Sequence, residues 1–179
     1  MKNKQISVQK CGVKLFQFAV FVFAFYSIQT TAGAQVAPGK QNQISSVFSG
    51  KCVMARNIVK GEQIVQMTCA EDFEPFLFQF AGGESFQIKT KDGDKCLDVS
   101  GGGTGNGTPV ILWDCHGGKN QLWTTHPVGE GFQIRSVQSG KCLDVRGPSR
   151  NDGTPIQIWD CGNASVKQMI YKITDIDII

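Results

Sequence analysis

The sequence has few of the residues that catalysis and metal binding require. Only two histidines occur, His116 and His126, and there is no Cys-x-x-Cys pair, so we expect no metal site. No Ser/His/Asp arrangement and no paired carboxylates stand in a catalytic context, so we predict neither an enzyme nor a bound cofactor. Apolar stripes with the helical period of 3.6 extend no further than a turn or two. Helices are therefore not expected to build the fold.

Long apolar runs are missing after residue 26. The first 14 residues include four lysines, a nearly unbroken apolar run of 12 residues follows over Leu15–Tyr26, and the small residues Ala32-Gly33-Ala34 come after it. A transmembrane anchor would need roughly 20 apolar residues. A basic start, a short apolar run and small residues are instead typical of a cleaved secretory signal.

We therefore predict a secretory signal over residues 1–34, cleaved near Ala34-Gln35. A polar lead-in is expected over residues 35–41 and a single folded domain over residues 42–179. The mature product is predicted to be secreted, with no membrane span after cleavage.

An excess of basic charge is missing from the predicted mature chain. The whole sequence has 18 basic and 15 acidic residues, for a formal charge of +3. Four of the basic residues and none of the acidic ones lie in the signal, so the remainder carries 14 − 15 = −1. The basic balance belongs to the signal, and nucleic acid is not an expected partner.

Cysteines and short apolar runs are what the mature chain does contain. Cys11 lies in the signal, which leaves six of the seven cysteines, and six in an exported chain indicate three disulfides. Short runs rich in Val, Ile, Phe and Trp alternate with Gly, Pro, Asn and Asp. This pattern is typical of an all-β domain.

One sequence pattern occurs three times. The stretch Lys95–Trp123 opens with Cys-Leu-Asp-Val, crosses a glycine-rich turn and ends its second apolar run with Trp-Asp-Cys. It returns over Lys141–Ile170, and a weaker copy spans Lys51–Phe78. We expect repeats of about 42–83, 84–129 and 130–175. Near their ends we match Gln121-Leu122-Trp123 with Gln168-Met169-Ile170 and, more loosely, with Phe76-Leu77-Phe78.

The cysteines follow the same repeat. Within the three units they lie 17, 19 and 19 residues apart. Six cysteines permit 15 pairings. Threefold symmetry leaves few that treat each unit alike, and the simplest joins the two cysteines inside each unit. Each such bond stabilises the fold by about 3 kcal/mol in the chain-entropy model. The expected pairs are Cys52–Cys69, Cys96–Cys115 and Cys142–Cys161.

A repeat of this length cannot bury its apolar face alone, so the copies must pack together. Three blades are too few to close a propeller. Three four-stranded units do close into a six-stranded barrel with three capping hairpins, which is the β-trefoil. Here the sequence resembles the ricin B-type lectin family, whose signature is Gln-x-Trp near the end of each repeat. The resemblance covers roughly Gln43 to Ile173 and implies that Trp123 packs in the barrel core.

In that family each lobe can hold a shallow sugar pocket, built by an Asp after the first cysteine and an aromatic before the second. The aromatic ring packs on the C–H face of a pyranose, while a carboxylate accepts hydrogen bonds from its hydroxyls. An amide both donates and accepts, which suits hydroxyls that do both. The resemblance therefore implies non-covalent binding of glycans as partners.

The second repeat has this set nearly complete. The resemblance implies Trp113 as the stacking platform and Asp98, His116 and Asn120 as hydroxyl partners, with Gln121 orienting Asp98. Asp, aromatic, His and Asn at these offsets are similar to the carbohydrate-binding modules of bacterial xylanases. Galactose- and xylose-type glycans both fit such a pocket. Ile111 departs from the pattern, because ricin-like pockets often have Gln there.

The third repeat keeps part of the set and the first has lost it. Asp144, Gln157 and Trp159 are implied to bind sugar, together with Gln168, although Gly162 replaces the histidine and Lys167 stands where Asn is expected. In the first repeat Met54 replaces the Asp and Met67 the Trp, and we read Pro75-Phe76 as replacing Asn-Gln. We expect no sugar pocket there.

Two other functions stay open at this stage. The first repeat is rich in large apolar residues, which could form a patch that docks a protein partner, as in a cell-binding subunit of a secreted toxin-like complex. The alternative is that most of these residues fill the barrel. A trefoil protease inhibitor is also possible, but no projecting reactive loop is visible. The apolar residues concerned are Met54, Met67, Phe73, Phe76 and Phe80.

Overall fold

The computed structural model describes residues 39–70 and 76–176. The predicted signal lies outside the described residues. Short runs rich in β-branched and aromatic residues, separated by glycine turns, form twelve strands within these ranges. The strands are β1 (Gln41–Ser46), β2 (Cys52–Met54), β3 (Val65–Met67), β4 (Phe76–Gly82), β5 (Ser85–Lys89), β6 (Lys95–Val99), β7 (Val110–Asp114), β8 (Trp123–Val128), β9 (Gly131–Ser136), β10 (Cys142–Val145), β11 (Thr154–Trp159) and β12 (Tyr171–Asp175).

Six of the strands close a barrel. β1 pairs with β12, and the ring continues through β9, β8, β5 and β4 back to β1, with every pairing antiparallel. The other strands form three hairpins, β2–β3, β6–β7 and β10–β11. Each repeat thus supplies two barrel strands and one hairpin, and the predicted β-trefoil is confirmed. In the described part of the chain, no helix is long and apolar enough to cross a membrane.

A disulfide ties each hairpin to the loop that follows it. The sulfurs join the two cysteines inside each repeat, and the paired Cα atoms are 5.1 Å apart in all three. The first cysteine of each pair is fully buried at the start of its hairpin. The pairs are those expected from the sequence, Cys52–Cys69, Cys96–Cys115 and Cys142–Cys161.

The core is built from the same positions in each repeat. Burial alternates along β1 and β5, as the twofold period of a strand requires. Ile44, Ile88 and Ile134 each lie eight residues before the first cysteine of their repeat, and all three are fully buried. The repeated sequence therefore produces a core with threefold symmetry.

An aromatic residue begins the last strand of each repeat and closes the core. Phe76, Trp123 and Tyr171 are all buried. Their strand partners are equivalent too, since Phe76 lies opposite Asn42, Trp123 opposite Phe86 and Tyr171 opposite Phe132. The Trp123 indole N–H also donates to the carbonyl of Leu97 at 3.1 Å.

This register corrects the match that we made from the sequence at the repeat ends. Trp123 is equivalent to Tyr171 and not to Ile170, because the third repeat has two extra residues between its second cysteine and its last strand, where we counted one. Likewise Phe76 takes the place of Trp123, so Pro75-Phe76 does not replace Asn-Gln. The match was wrong because it aligned the repeats by sequence motif rather than by the buried aromatic residue that begins each last strand.

One side chain joins the three hairpins around the pseudo-threefold axis. Ile64, Val110 and Ile156 each precede the second cysteine of their repeat by five residues. The Gln63 side-chain amide nitrogen donates to their carbonyl oxygens at 2.9, 2.8 and 3.0 Å. The equivalent residues of the other repeats are Pro109 and Pro155, which have no side-chain donor. A single amide therefore serves acceptors from all three repeats.

We predict that Gln63→Ala lowers the free energy of unfolding by about 1–3 kcal/mol, because it leaves inward-facing carbonyls without their donor. Urea unfolding followed by tryptophan fluorescence measures the change. Gln79→Ala, which alters an exposed strand residue, is the matched control and should cost less. Equal losses in the two variants would show that the convergence of carbonyls on Gln63 has no energetic role.

Candidate functional site

The β6–β7 hairpin places the predicted residues of the second repeat side by side. Asp98 lies opposite Ile111, and Trp113 lies opposite Cys96. Because side chains two residues apart on a strand share a face, Asp98 and Trp113 are diagonal neighbours on one face of the hairpin. Asp98 is 3% exposed, whereas Trp113 is 36% exposed. The hairpin thus combines a buried carboxylate with an exposed aromatic ring.

Two amide donors converge on one oxygen of Asp98. Oδ2 accepts hydrogen bonds from Asn120 Nδ2 at 2.9 Å and Gln121 Nε2 at 2.8 Å, and it lies 3.4 Å from His116 Nε2. None of the contacts that the described residues make with this carboxylate falls on Oδ1. A buried carboxylate needs such donors, and here they hold the side chain in one orientation.

The hydrogen bonds also define the tautomer of His116. The backbone N–H of Gly118 donates to His116 Nδ1 at 3.1 Å, so Nδ1 carries a lone pair. In the neutral ring the proton is then on Nε2, which faces Asp98. His116 is about half exposed and so can also reach solvent or a ligand.

Gln121 is buried behind the site. It ends a single 3-10 turn, Lys119–Gln121. Its Oε1 accepts from the backbone N–H of His116 at 2.8 Å, and its Nε2 donates to the carbonyl of Asp114 at 2.9 Å as well as to Asp98. This side chain thus connects the turn to the carboxylate, the geometry expected of an orienting residue.

The structure adds a residue that the sequence did not reveal. Lys60, from a loop of the first repeat, places its Nζ 4.3 Å from the centroid of the Trp113 ring and 2.8 Å from Asp114 Oδ2. Lys95 Nζ lies 3.4 Å from the other oxygen of Asp114. Both lysines lower the pKa of the Asp114 carboxyl, mainly through the contact with Lys60. No feature of the second repeat's own sequence could have indicated Lys60.

The third repeat forms a pocket of about 400 Å³ around Asp144 and Trp159. Asp144 is 3% exposed and Trp159 is 42% exposed, close to the values for Asp98 and Trp113. Gln157 lies directly opposite Asp144 on β11 and donates from Nε2 to Asp144 Oδ2 at 2.8 Å. Gln157 Oε1 in turn accepts from Arg146 Nε at 3.2 Å. Gln168 also lines this pocket.

The turn after this pocket corrects our reading of its residues. The 3-10 turn of the third repeat is Lys167–Met169, so Gln168 takes the place of Asn120 and Met169 that of Gln121. The backbone contacts agree, since Gly162 N–H approaches Met169 Sδ at 3.4 Å as His116 N–H approaches Gln121 Oε1. Lys167 therefore does not stand in the Asn position. A thioether cannot donate to Asp144, so Gln157 is the donor there.

Asp144 is consequently less well satisfied than Asp98. Its Oδ1 is buried and has no hydrogen-bond partner among the described residues. Burial raises the pKa of Asp144 from 3.8 to about 6, and the hydrogen bond from Gln157 opposes that rise only in part. The charged form of Asp144 also helps to raise the pKa of the buried Tyr171 hydroxyl, although burial is the larger cause.

The first repeat lacks both chemical groups. Met67 lies opposite Cys52, in the position of Trp113, and Met54 lies opposite Val65, in the position of Asp98. Both methionines are partly buried, and Phe76 is fully within the core, so Phe76 does not contribute to an exposed docking patch. Phe73 and the side chain of Phe80 lie outside what the structure describes.

The raised pKa of Asp144 predicts a pH-dependent stability. Between pH 3.8 and about 6 the folded state binds more protons than the unfolded state, so stability falls as pH rises through this window. Compared with Asp144→Asn, the wild type should therefore lose about 1–3 kcal/mol of unfolding free energy between pH 4 and pH 7.5. Urea titrations of both proteins at these two pH values measure the difference.

Asp92→Asn is the control of opposite sign. A hydrogen bond from the Thr90 hydroxyl lowers the pKa of Asp92, so its contribution is present at pH 7.5 and is lost as pH falls. If the wild type and Asp144→Asn show the same pH dependence, burial does not perturb Asp144.

Comparisons with known proteins agree with this geometry. A family model described as the ricin-type β-trefoil lectin domain matches residues 40–170. A probable lipoprotein, EnvE of Salmonella typhimurium, is 58% identical over 33 residues, which are 18% of this chain and 19% of that protein. The match therefore spans about a fifth of that relative's length.

Solved structures share the fold. A designed threefold-symmetric protein, ThreeFoil, has a TM-score of 0.71 at 24% identity, covering 75% of this chain and 98% of that one. An exo-β-1,3-galactanase of Clostridium thermocellum has a TM-score of 0.72 at 26% identity, covering 79% and 31%. A ricin B-like lectin of Macrolepiota procera, solved with lactose, has a TM-score of 0.67 at 18% identity, covering 79% and 99%.

The similarity to xylanase modules in particular stays a prediction, since these comparisons concern the family as a whole. The family is one of carbohydrate-binding, non-catalytic domains. The matched residues include all three hairpins and five of the six barrel strands. The chain belongs to the ricin-type β-trefoil lectin family.

Proposed function

We propose that this protein is an exported lectin that binds galactose- or xylose-type glycans non-covalently, through pockets in its second and third repeats. One observation carries the proposal: in both repeats an exposed tryptophan lies beside a buried aspartate on the same hairpin. That pair matches the two faces of a pyranose, which are an apolar C–H face and a rim of hydroxyls.

The second repeat supports a specific arrangement of the sugar. The pyranose C–H face would pack on Trp113. Its hydroxyls would approach Asp98 Oδ1, because Oδ2 already accepts hydrogen bonds from Asn120 and Gln121 and lies 3.4 Å from His116 Nε2. His116 is exposed and Asn120 is only partly buried, so both can share further hydroxyls. Gln121 is fully buried, so we assign it to orienting Asp98 and not to sugar contact.

The third repeat supports a second and weaker pocket. Trp159 supplies the ring, Asp144 and Gln157 the polar groups, and Gln168 an amide at the edge. Asp144 has a single donor and a pKa of about 6, so neither its charge near neutral pH nor its orientation is firmly fixed. Shallow pockets of this kind bind single sugars at about millimolar Kd, roughly −4 kcal/mol. Two of them on one rigid body would favour polymeric or clustered glycans.

The similar proteins and the disulfides support binding of glycans, without catalysis, by an exported protein. The Macrolepiota procera lectin was solved with lactose, and the Clostridium thermocellum protein is a galactanase, so galactose-type sugars are a reasonable first choice. Three disulfides in a chain with a predicted signal support export to an oxidising compartment. The described residues form a single trefoil, and we infer that the protein holds glycans without modifying them.

We predict that Trp113→Ala and Trp159→Ala each weaken binding to a galactose- or xylose-containing polymer about tenfold, and that the double variant abolishes it. Each change removes one stacking surface, and the loss of one pocket also removes avidity. A glycan array identifies the polymer, and isothermal titration calorimetry measures the affinities.

Met67→Ala is the matched control, because Met67 occupies the position of Trp113 in the first repeat. It should leave glycan binding at the wild-type level. Absence of binding to any glycan, or equal binding by the wild type and the double tryptophan variant, would refute the lectin proposal.

A further inference from the structure

We call the position of Trp113 in each repeat the platform; it holds Trp113, Trp159 and Met67. A loop from the preceding repeat borders each platform. Gly61 N–H donates to the carbonyl of Leu112 at 2.7 Å, just before Trp113. The equivalent bonds run from Gly107 to Ile158 at 2.9 Å, beside Trp159, and from Gly153 to Gln66 at 2.9 Å, beside Met67. The residue before each glycine thus faces the residue after each platform. These inter-repeat pairs are Lys60 with Asp114, Asn106 with Asp160, and Asp152 with Thr68.

A lysine at the start of each hairpin completes the pair into a triad. In the second repeat the triad is Lys60, Asp114 and Lys95, with Asp114 between the two ammonium groups at 2.8 and 3.4 Å. Two cations and one carboxylate leave a net charge of +1. The excess charge lies next to the sugar platform, since Lys60 Nζ is 4.3 Å from the Trp113 ring centroid.

The other two triads are neutral. In the third repeat Asn106 Nδ2 donates to Asp160 Oδ2 at 2.8 Å, and Lys141 pairs with the same carboxylate. In the first repeat Asp152 accepts from Thr68 N–H at 2.8 Å and pairs with Lys51 at 2.6 Å. Each has one cation and one carboxylate. Among the three equivalent triads, the positive one therefore belongs to the most complete pocket.

Lys60 leaves its platform open. Trp113 is 36% exposed, and Trp159, over whose ring no cation of the described residues lies, is 42% exposed. The nearly equal values show that Lys60 covers only a small part of the indole. Its own side chain is about half exposed, so the ammonium group can meet a ligand that stacks on Trp113.

We propose that the second-repeat pocket prefers an acidic pyranose, a uronic acid residue whose carboxylate meets Lys60 while its ring packs on Trp113. This inference rests on the proposed function and adds to it the charge of the sugar. Asp98 lies three positions along the hairpin from the Lys95–Asp114 pair that Lys60 joins, and it repels an anion, so the sugar carboxylate points towards Lys60 and the neutral hydroxyls point towards Asp98. Among the described residues no cation lies over Trp159, and Arg146 beside the third pocket is bound to Gln157, so we expect the third triad to give no such preference.

The expected preference is modest and depends on salt. An exposed ion pair contributes about 0.2–1 kcal/mol, which corresponds to an affinity ratio of about 1.5 to 5 between the acidic and the neutral sugar. Screening at high ionic strength should bring this ratio towards one. Stacking on Trp113 is not screened, so the neutral sugar should bind similarly at both salt concentrations.

The methyl glycosides of galactose and of galacturonic acid test the proposal. They differ only at C6, which is a CH₂OH group in the first and a free carboxylate in the second. Nuclear magnetic resonance titrations measure both affinities in Trp159→Ala, where only the second pocket remains. We expect galacturonate to bind about threefold more tightly at low salt and equally at 1 M NaCl. Adding Lys60→Asn should bring the low-salt ratio to about one. Asn106 makes the equivalent bond in the third repeat, so this substitution keeps the inter-repeat contact.

The reciprocal change is Asn106→Lys in Trp113→Ala, where only the third pocket remains. It should create a preference for galacturonate, and the absence of any gain would show that the triad charge does not set specificity. A preference that persists in Lys60→Asn, or a wild-type preference for the neutral sugar, would overturn the inference and leave the lectin proposal intact. If galactose 6-sulfate binds more tightly than galacturonate, the inference of a carboxylate ligand is overturned and the preferred sugar is a sulfated one. Failure of every sugar to bind would overturn both proposals.

Discussion

Closure of the barrel is the constraint on which the rest of this structure depends. A single repeat of four short strands has too little apolar surface to exclude water on its own, so each copy completes its core only against the other two. Phe76, Trp123 and Tyr171 occupy equivalent places at the start of the closing strands and are buried. Their chemistry differs, but each is a large flat side chain. The barrel requires volume at this position and tolerates different residues that supply it.

The polar positions diverge far more than the core, because the surface of a hairpin is not under the same packing constraint. In the second repeat two amides donate to the buried carboxylate of Asp98 and His116 lies close to it, whereas in the third repeat a single amide supports Asp144. The first repeat has Met54 at that place and needs no donor. The same backbone thus carries a well-oriented carboxylate, a poorly satisfied one and none. Binding capacity can change from lobe to lobe while the scaffold remains constant.

Much of the candidate site was visible in the sequence, because the pairs Asp98–Trp113 and Asp144–Trp159 are both 15 residues apart and each hairpin is a local structure. The turn after the third hairpin was not predicted correctly. Its two extra residues shifted the match, so that Gln168 was equated with Gln121 although it stands in the place of Asn120. A sequence match by letters fails where an insertion precedes a short motif, whereas backbone hydrogen bonds identify the equivalent positions directly.

The sequence alone determined the local features of this protein: the number of repeats, the cysteine spacing of each disulfide, the strand periodicity and the pairing of Asp with Trp on the second and third hairpins. These features depend on residues close together in the chain, for which the sequence separation fixes the relative positions on a hairpin. Only the tertiary structure decided which repeat borders which. Lys60 lies over Trp113 and Gln63 joins three hairpins because barrel closure brings distant segments together. The extra positive charge beside the second-repeat site comes from a loop of the first repeat, and so it appears only once the chain has folded.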